Sequence, residues 1–194
     1  TNAPKTNTLV QKKLTVKNVL DKLVRIDEEE GASVEYFYDA KGNLVKTNAS
    51  GIITSLFYDA RNRKIAMDDP DMGYWQYSYN AFDELVWQKN ANGRIVTMQY
   101  DKLGRMIVRE EDEGISTWTY DSAQNGIGRL ASETGPAGFY KEYFYDEFGR
   151  EVKTETTIEN AEKFVVQSSY DEYGRLLART QPNNFILENT YNEY

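Results

Sequence analysis

Tyr170-Asp171-Glu172-Tyr173-Gly174-Arg175-Leu176-Leu177 is the stretch that decides the fold, because the chain keeps returning to it. Tyr145-Asp146-Glu147-Phe148-Gly149-Arg150-Glu151-Val152 repeats it almost residue for residue, and Tyr100-Asp101-Lys102-Leu103-Gly104-Arg105-Met106-Ile107 does so again. Looser copies start at Tyr38, Tyr58 and Tyr79. A copy at Tyr120-Asp121 carries four extra residues before Gly128-Arg129, and Tyr191-Asn192 opens another. Starts at 38, 58, 79, 100, 120, 145, 170 and 191 give a period of about 21 residues. A period in this range marks an architecture in which no unit buries its apolar surface alone and neighbours must stack.

The repeat has a backbone explanation. Asp39, Asp59, Asp101, Asp146 and Asp171 follow the Tyr, and an Asp carboxylate opens a turn by accepting backbone N–H bonds two residues on. The fourth residue is Gly42, Gly104, Gly149 or Gly174, where a type I turn closing a hairpin needs a left-handed residue and makes a bulge. Where Gly is missing the position holds Asn62 or Asp83, the types that adopt that conformation most cheaply. Tyr-Asp-x-x-Gly therefore reads as a hairpin turn, with the Tyr as the last residue of the incoming strand. Counting back by two gives Tyr36, Leu56, Tyr77, Met98, Trp118, Tyr143 and Ser168, a period-two pattern with one richer face.

Between successive Tyr-Asp turns lies a second class of turn, as at Asn48-Ala49-Ser50-Gly51, Asp69 to Gly73, Asn90-Ala91-Asn92-Gly93 and Glu111-Asp112-Glu113-Gly114, rich in turn-forming residues. Two turns per repeat leave strands of about six residues. The expected fold class is all-β: tandem antiparallel hairpins, each strand pairing with its chain neighbours, forming a curved, spiralling open sheet. Residues 1–15 read as a polar lead-in with one strand from Thr8 to Val16, and 16–194 as a single array of about nine repeats. Lys17-Asn18-Val19-Leu20-Asp21-Lys22-Leu23-Val24 aligns with Tyr79-Asn80-Ala81-Phe82-Asp83-Glu84-Leu85-Val86 as a repeat that lost its Tyr. A short amphipathic helix from Val16 to Ile26 fits the same apolar spacing.

Composition narrows the function. A net charge of −8 argues against nucleic acid and against an anionic membrane surface, and no apolar window is long enough to span a bilayer. The chain has neither Cys nor His, so disulfides, thiolate metal sites and the usual nucleophile–base pairs are unavailable. No cofactor motif is read. Thr1 in place of an initiator Met reads as a chain taken from a longer protein.

The Tyr-Asp-x-x-Gly-Arg-Leu repeat resembles the YD repeat of the Rhs family, which includes bacterial Rhs polymorphic toxins, the B and C components of insecticidal toxin complexes, and the animal teneurins. The resemblance covers Asn18 to Tyr194. It implies a hollow β-shell that encloses a C-terminal toxic or effector polypeptide, in a secreted or cell-surface bacterial protein. The implied partners are the remainder of the parent shell and the enclosed toxin. The family's Asp-Pro-x-Gly autoproteolysis motif is missing, since Asp69-Pro70 lies mid-array in an ordinary turn, and no toxin domain follows Tyr191.

Arg105, Arg129, Arg150 and Arg175 are expected to run along the strand edges and pair with carboxylates of the neighbouring hairpin. The acidic turns Asp27 to Glu30, Asp68 to Asp71 and Glu110 to Glu113 are oxygen-rich but lack the alternating ligand spacing of an EF-hand loop. Trp75, Trp87 and Trp118 are the aromatics on which a glycan would stack, and packing between hairpins is the competing role for Trp75 and Trp118. The expected function is a non-enzymatic wall segment; the alternative is an extracellular adhesion or carbohydrate-binding module. Unpaired strands at the two ends of such an array favour edge-to-edge self-association.

Overall fold

The computed structural model describes residues 13–28, 31–159 and 161–192. The Thr8 to Val16 strand and the Asp27 to Glu30 turn therefore lie partly outside the described residues. Those described form seventeen β-strands and no helix. The chain divides into two compact units at Arg94/Ile95.

The first unit holds β1 (Lys13–Lys17), β2 (Leu23–Glu28), β3 (Ser33–Tyr38), β4 (Leu44–Ala49), β5 (Ile52–Tyr58), β6 (Lys64–Asp69), β7 (Gly73–Tyr79) and β8 (Leu85–Lys89). Each pairs antiparallel with its chain neighbour. The second holds β9 (Ile95–Tyr100), β10 (Met106–Glu111), β11 (Gly114–Tyr120), β12 (Leu130–Thr134), β13 (Tyr140–Tyr145), β14 (Glu151–Thr157), β15 (Phe164–Tyr170), β16 (Leu176–Thr180) and β17 (Ile186–Glu188), paired in the same way. The fold is an all-β array of consecutive antiparallel hairpins.

Tyr38, Tyr58, Tyr79, Tyr100, Tyr120, Tyr145 and Tyr170 each end a strand. The register shifts at the Tyr in these hairpins, as between Phe37 and Tyr38 or Phe144 and Tyr145, because the left-handed residue of the turn adds one residue on the outgoing side. The φ angles locate that residue: +89° at Gly42, +63° at Asn62, +68° at Asp83, +76° at Gly104, +71° at Gly149 and +80° at Gly174. The turn closes with Gly149 N–H donating to Asp146 O at 2.9 Å and Asp146 N–H to Arg150 O at 3.0 Å.

Residues 17–24 form the same device rather than a helix. Asn18 N–H donates to Lys22 O at 2.8 Å, and Asp21 takes the left-handed place with φ +60°. The turn at Asn90, assigned to the second class, shares this geometry too, as does the turn at Gln181, with Gly93 at φ +83° and Asn184 at φ +62°. A two-residue turn with both central residues left-handed joins β4 to β5, at Ser50 and Gly51.

Strand pleating sorts the side chains. In the first unit Tyr36, Leu56, Met67, Trp75 and Tyr77 share the face of the repeat tyrosines, and Phe37, Lys46, Phe57, Ala66 and Trp87 take the other. Few residues are buried: among those described only Ala66, Met98, Gly126, Ala131 and Thr154. Within each unit the strands make one layer with no second layer packed over it, so neighbours must be held along the array instead of through a core.

Candidate functional site

What holds them is a clamp built from four parts of the repeat. At Tyr145-Asp146-Glu147-Phe148-Gly149-Arg150, Asp146 Oδ1 accepts the N–H groups of Phe148 and Arg150 at 3.0 and 2.8 Å, and its Oδ2 accepts Arg150 Nε at 2.7 Å. The guanidinium so fixed lies 4.7 Å from the ring of Tyr170, one repeat later. Tyr170 in turn donates its hydroxyl to the Glu151 carbonyl, at the start of the strand leaving the Asp146 turn, at 2.8 Å. Tyr170 thus reaches back to the preceding repeat by a hydrogen bond and receives a cation on its ring face.

The pattern recurs along the array. Tyr58, Tyr79, Tyr145 and Tyr191 donate to the carbonyls of Leu44, Lys64, Leu130 and Leu176 at 2.9, 2.8, 2.7 and 2.8 Å. Arg63 covers Tyr79, Arg105 covers Tyr120, Arg129 covers Tyr145 and Arg175 covers Tyr191, at 5.1, 4.3, 5.5 and 4.4 Å. Lys22 does the same for Tyr38, at 4.9 Å, and Tyr38 donates to Leu23 O at 2.9 Å.

Departures from the repeat keep the connection. Asn80 replaces the Asp and Glu84 the Arg, so donor and acceptor exchange places in an Asn80 Nδ2 to Glu84 Oε2 bond of 2.6 Å. In the enlarged turn after Tyr120, Asp121 Oδ1 accepts Gly128 N–H at 2.6 Å, and both its oxygens accept from Arg105 of the preceding repeat.

The arginines pair with the neighbouring hairpin, as expected, at Arg105, but also within their own turns. Arg105, Arg150 and Arg175 each bind the Asp of their own turn, four residues earlier, at 2.7, 2.7 and 2.6 Å. Neighbouring carboxylates are added at only some turns, as in Arg63 with Asp83 at 2.9 Å and Arg105 with Asp121 at 2.6 Å. The turn brings residue five within reach of residue one, so the own-turn contact forms whether or not a neighbouring carboxylate is also within reach.

Titration follows the geometry. The Asp39 carboxyl lies below its ordinary value because the Asn43 side chain and then the Asn43 N–H donate to it. At Asp59 the Arg63 N–H leads. At Asp101, Asp146 and Asp171 partial burial pushes upward, but the backbone N–H and guanidinium of Arg105, Arg150 and Arg175 outweigh it and the net shift is down.

The tryptophans do not form one platform. Trp75 stacks on Tyr77, centroids 6.4 Å apart, and donates Nε1–H to Met72 O at 3.1 Å. Trp87 stands opposite Ser78, on the other face of the first unit. In the second unit Trp118 donates to Glu133 Oε2 at 3.2 Å, and Tyr143 donates to Glu133 Oε1 at 2.8 Å. Burial, and then the bond to Glu133, push the Tyr143 hydroxyl well above its usual range.

In the acidic turn at Asp69, Oδ1 accepts the Asp71 and Met72 N–H groups at 3.0 Å and Oδ2 takes the Thr54 hydroxyl at 2.7 Å. Among the described residues no cluster of His, Cys, Asp and Glu could hold a metal ion.

An array of hairpins clamped Tyr to carbonyl from one repeat to the one before defines a repeat wall. The match to the Teneurin YD-shell family runs over residues 12–184, and the chain belongs to that family. It is 28% identical over 170 residues to the tRNA3(Ser)-specific nuclease WapA of Bacillus spizizenii, covering 84% of this chain and 6% of the relative. It is 29% identical over 126 residues to the double-stranded DNA deaminase toxin A of Burkholderia cenocepacia, covering 64% of this chain and 7% of the relative. The chain thus spans under a tenth of the length of the curated relatives it matches. In the Photorhabdus luminescens Tc holotoxin pore, 87% of this chain superposes on 12% of a toxin chain with TM-score 0.66 at 15% identity. In a TcdB2–TccC3 complex, 92% superposes on 14% with TM-score 0.58 at 12% identity.

Proposed function

We propose that this chain is a non-enzymatic segment of shell wall, one stretch of a larger YD-type β-shell that encloses a toxic or effector polypeptide. The observation that carries this reading is the clamp. Where the repeat is complete, as at Tyr145 to Arg150, its Tyr bonds the preceding repeat, its Asp fixes its own Arg and that Arg covers the next Tyr ring, which commits those groups to continuity and not to chemistry. An uncovered single-layer sheet is suited to standing between two environments. The relatives that match this stretch, a tRNA nuclease and a double-stranded DNA deaminase toxin, have most of their length elsewhere, which supports a part in a larger assembly and, with it, a secreted or cell-surface setting.

The test is limited proteolysis of the full-length parent, followed by mass spectrometry of the segment on the C-terminal side of the repeats. Enclosure predicts that this segment resists protease while the wall is intact. It becomes sensitive when two clamps are removed together by Tyr145→Ala and Tyr170→Ala. Equal sensitivity before and after opening sinks the encapsulation reading.

A further inference from the structure

The enlarged turn after Tyr120 has a groove beside it. Its extra residues are folded back on themselves: Gly126 N–H donates to Ala123 O at 3.0 Å, Arg129 N–H to Gly126 O at 3.0 Å and Gly128 N–H to Asp121 Oδ1 at 2.6 Å. Gly126 is buried where an added Cβ would lie 2.8 Å from that of Ala123 and 3.2 Å from the Tyr145 side chain, so the loop is fixed against its neighbour. It closes one end of a groove of about 450 Å³ over β12 and β13, lined among others by Ser122, Gln124, Ser132, Tyr140, Glu142 and Phe144. That volume lies within the ~300–1,000 Å³ of small-molecule sites. Tyr140, Glu142 and Phe144 alternate along β13, and Ser132 stands opposite Glu142. These four therefore share one face, the reverse of the face carrying Trp118 and Glu133.

The lining selects the ligand. The side chains of Ser122, Gln124, Ser132 and Glu142 make no hydrogen bond among the described residues, whereas the clamp occupies its Tyr, Asp and Arg. An apolar ligand would strip water from these four groups and put nothing in its place. A peptide strand finds no free backbone row, since β12 and β13 are each paired on both sides. Glu142, the one charged residue of the lining, repels an anion. Its attraction for a cation is offset by Lys153, 3.8 Å over the Phe144 ring, and by Lys163, both of which pair with Glu155 opposite Glu142. A neutral ring bearing several hydroxyls meets every requirement. Its hydroxyls donate to the Glu142 carboxylate and exchange hydrogen bonds with the Gln124 amide and the two serines, and its C–H face lies on the Tyr140 ring, which is 40% exposed. We propose that this groove binds a neutral saccharide, at a place that none of the three tryptophans occupies.

The site uses side chains that the clamp leaves free, so it goes beyond the wall function and stands or falls independently of any enclosed polypeptide. One open groove holding one small ligand binds weakly, with Kd of about 0.1–10 mM.

Methyl glycosides of glucose, galactose, mannose and N-acetylglucosamine, titrated into the isotope-labelled 194-residue chain and followed by amide chemical shifts, test this. At least one should give saturable shifts centred on Gln124, Ser132 and Glu142. Glu142→Gln should weaken that glycoside about fivefold, and Gln124→Ala, in the exposed loop, about threefold. Tyr140→Ala should weaken it about tenfold or more. Melting temperature should be unchanged in the Glu142 and Gln124 variants. Failure of every glycoside to bind at about 20 mM overturns the proposal. So does binding that survives both of those variants, or binding that is lost in Trp118→Ala instead, which would put the ligand on the reverse face. Tighter binding of glucosamine or glucuronate than of any neutral glycoside overturns it too, because charge would then select the ligand.

Discussion

At the scale of the residue, the repeat Tyr contributes through its hydroxyl as much as through its ring. Tyr145→Phe keeps the ring under Arg129 but leaves the Leu130 carbonyl without its 2.7 Å donor. The expected loss is about 0.5–1.5 kcal/mol in urea denaturation, and an unchanged midpoint would mean that water replaces the hydroxyl at no cost. The left-handed place is stricter. Gly149 has φ +71°, and a Cβ added there would lie 3.2 Å from Arg129 Nε. Gly149→Val should cost about 1–2 kcal/mol by forcing a β-branched residue into that region. Asn62→Gly, at φ +63°, should be neutral or stabilising. Trp118 is tied to Glu133 and half-buried, so Trp118→Ala should lower stability by about 2–3 kcal/mol. Unchanged melting in that variant, together with lost glycan-array binding, would mark Trp118 as a ligand-stacking residue.

At the scale of the element, the hairpin turn is where acid should act. Asp39, Asp59, Asp101, Asp146 and Asp171 all titrate below their ordinary value in the folded chain. A depressed folded-state value means that the stabilisation is present above the unfolded value, near 4, and is lost as pH falls through the folded one. Melting temperature should therefore be flat from neutrality to about pH 5 and drop steeply below about pH 4. Asp146→Asn should start lower at neutral pH and show a shallower acid drop; a drop as steep as the original would show that the clamps do not set the acid limit. The hairpins themselves were legible in the sequence, because Asp at one place and Gly, Asn or Asp three places on are dictated by backbone geometry. The clamp was not. Tyr170 reaches the Glu151 carbonyl, nineteen residues back, and a backbone acceptor leaves no mark in a residue pattern. The Asp146–Arg150 pair was readable in principle, being four apart within a turn already identified, but the period drew attention to the neighbouring repeat instead. Trp87 lies opposite Ser78, across the sheet from Trp75, because the bulge at Tyr79 changes the parity of everything after it.

At the scale of the whole molecule, the ends of the two units differ from their middles. β17 pairs only with β16 among the described residues, and Phe185, Ile186 and Leu187 beside it are 57%, 51% and 50% exposed. Such an edge recruits strands. Ile186→Lys should suppress slow aggregation, followed by light scattering; aggregation as fast as in the original chain would show that the strand edge does not carry it. Amide exchange should be fastest in β1 and β17 and slowest in interior strands that have two paired neighbours. The hydroxyl clamp also bears on how such a protein is inherited. Its acceptors are the carbonyls of Leu23, Leu44, Leu130 and Leu176, and equally those of Lys64 and Glu151, whose side chains are charged. Because the joint is made to main chain, any repeat fits behind any other. Unequal crossing-over between copies of the gene segment can then lengthen, shorten or shuffle the array, and each new junction still closes.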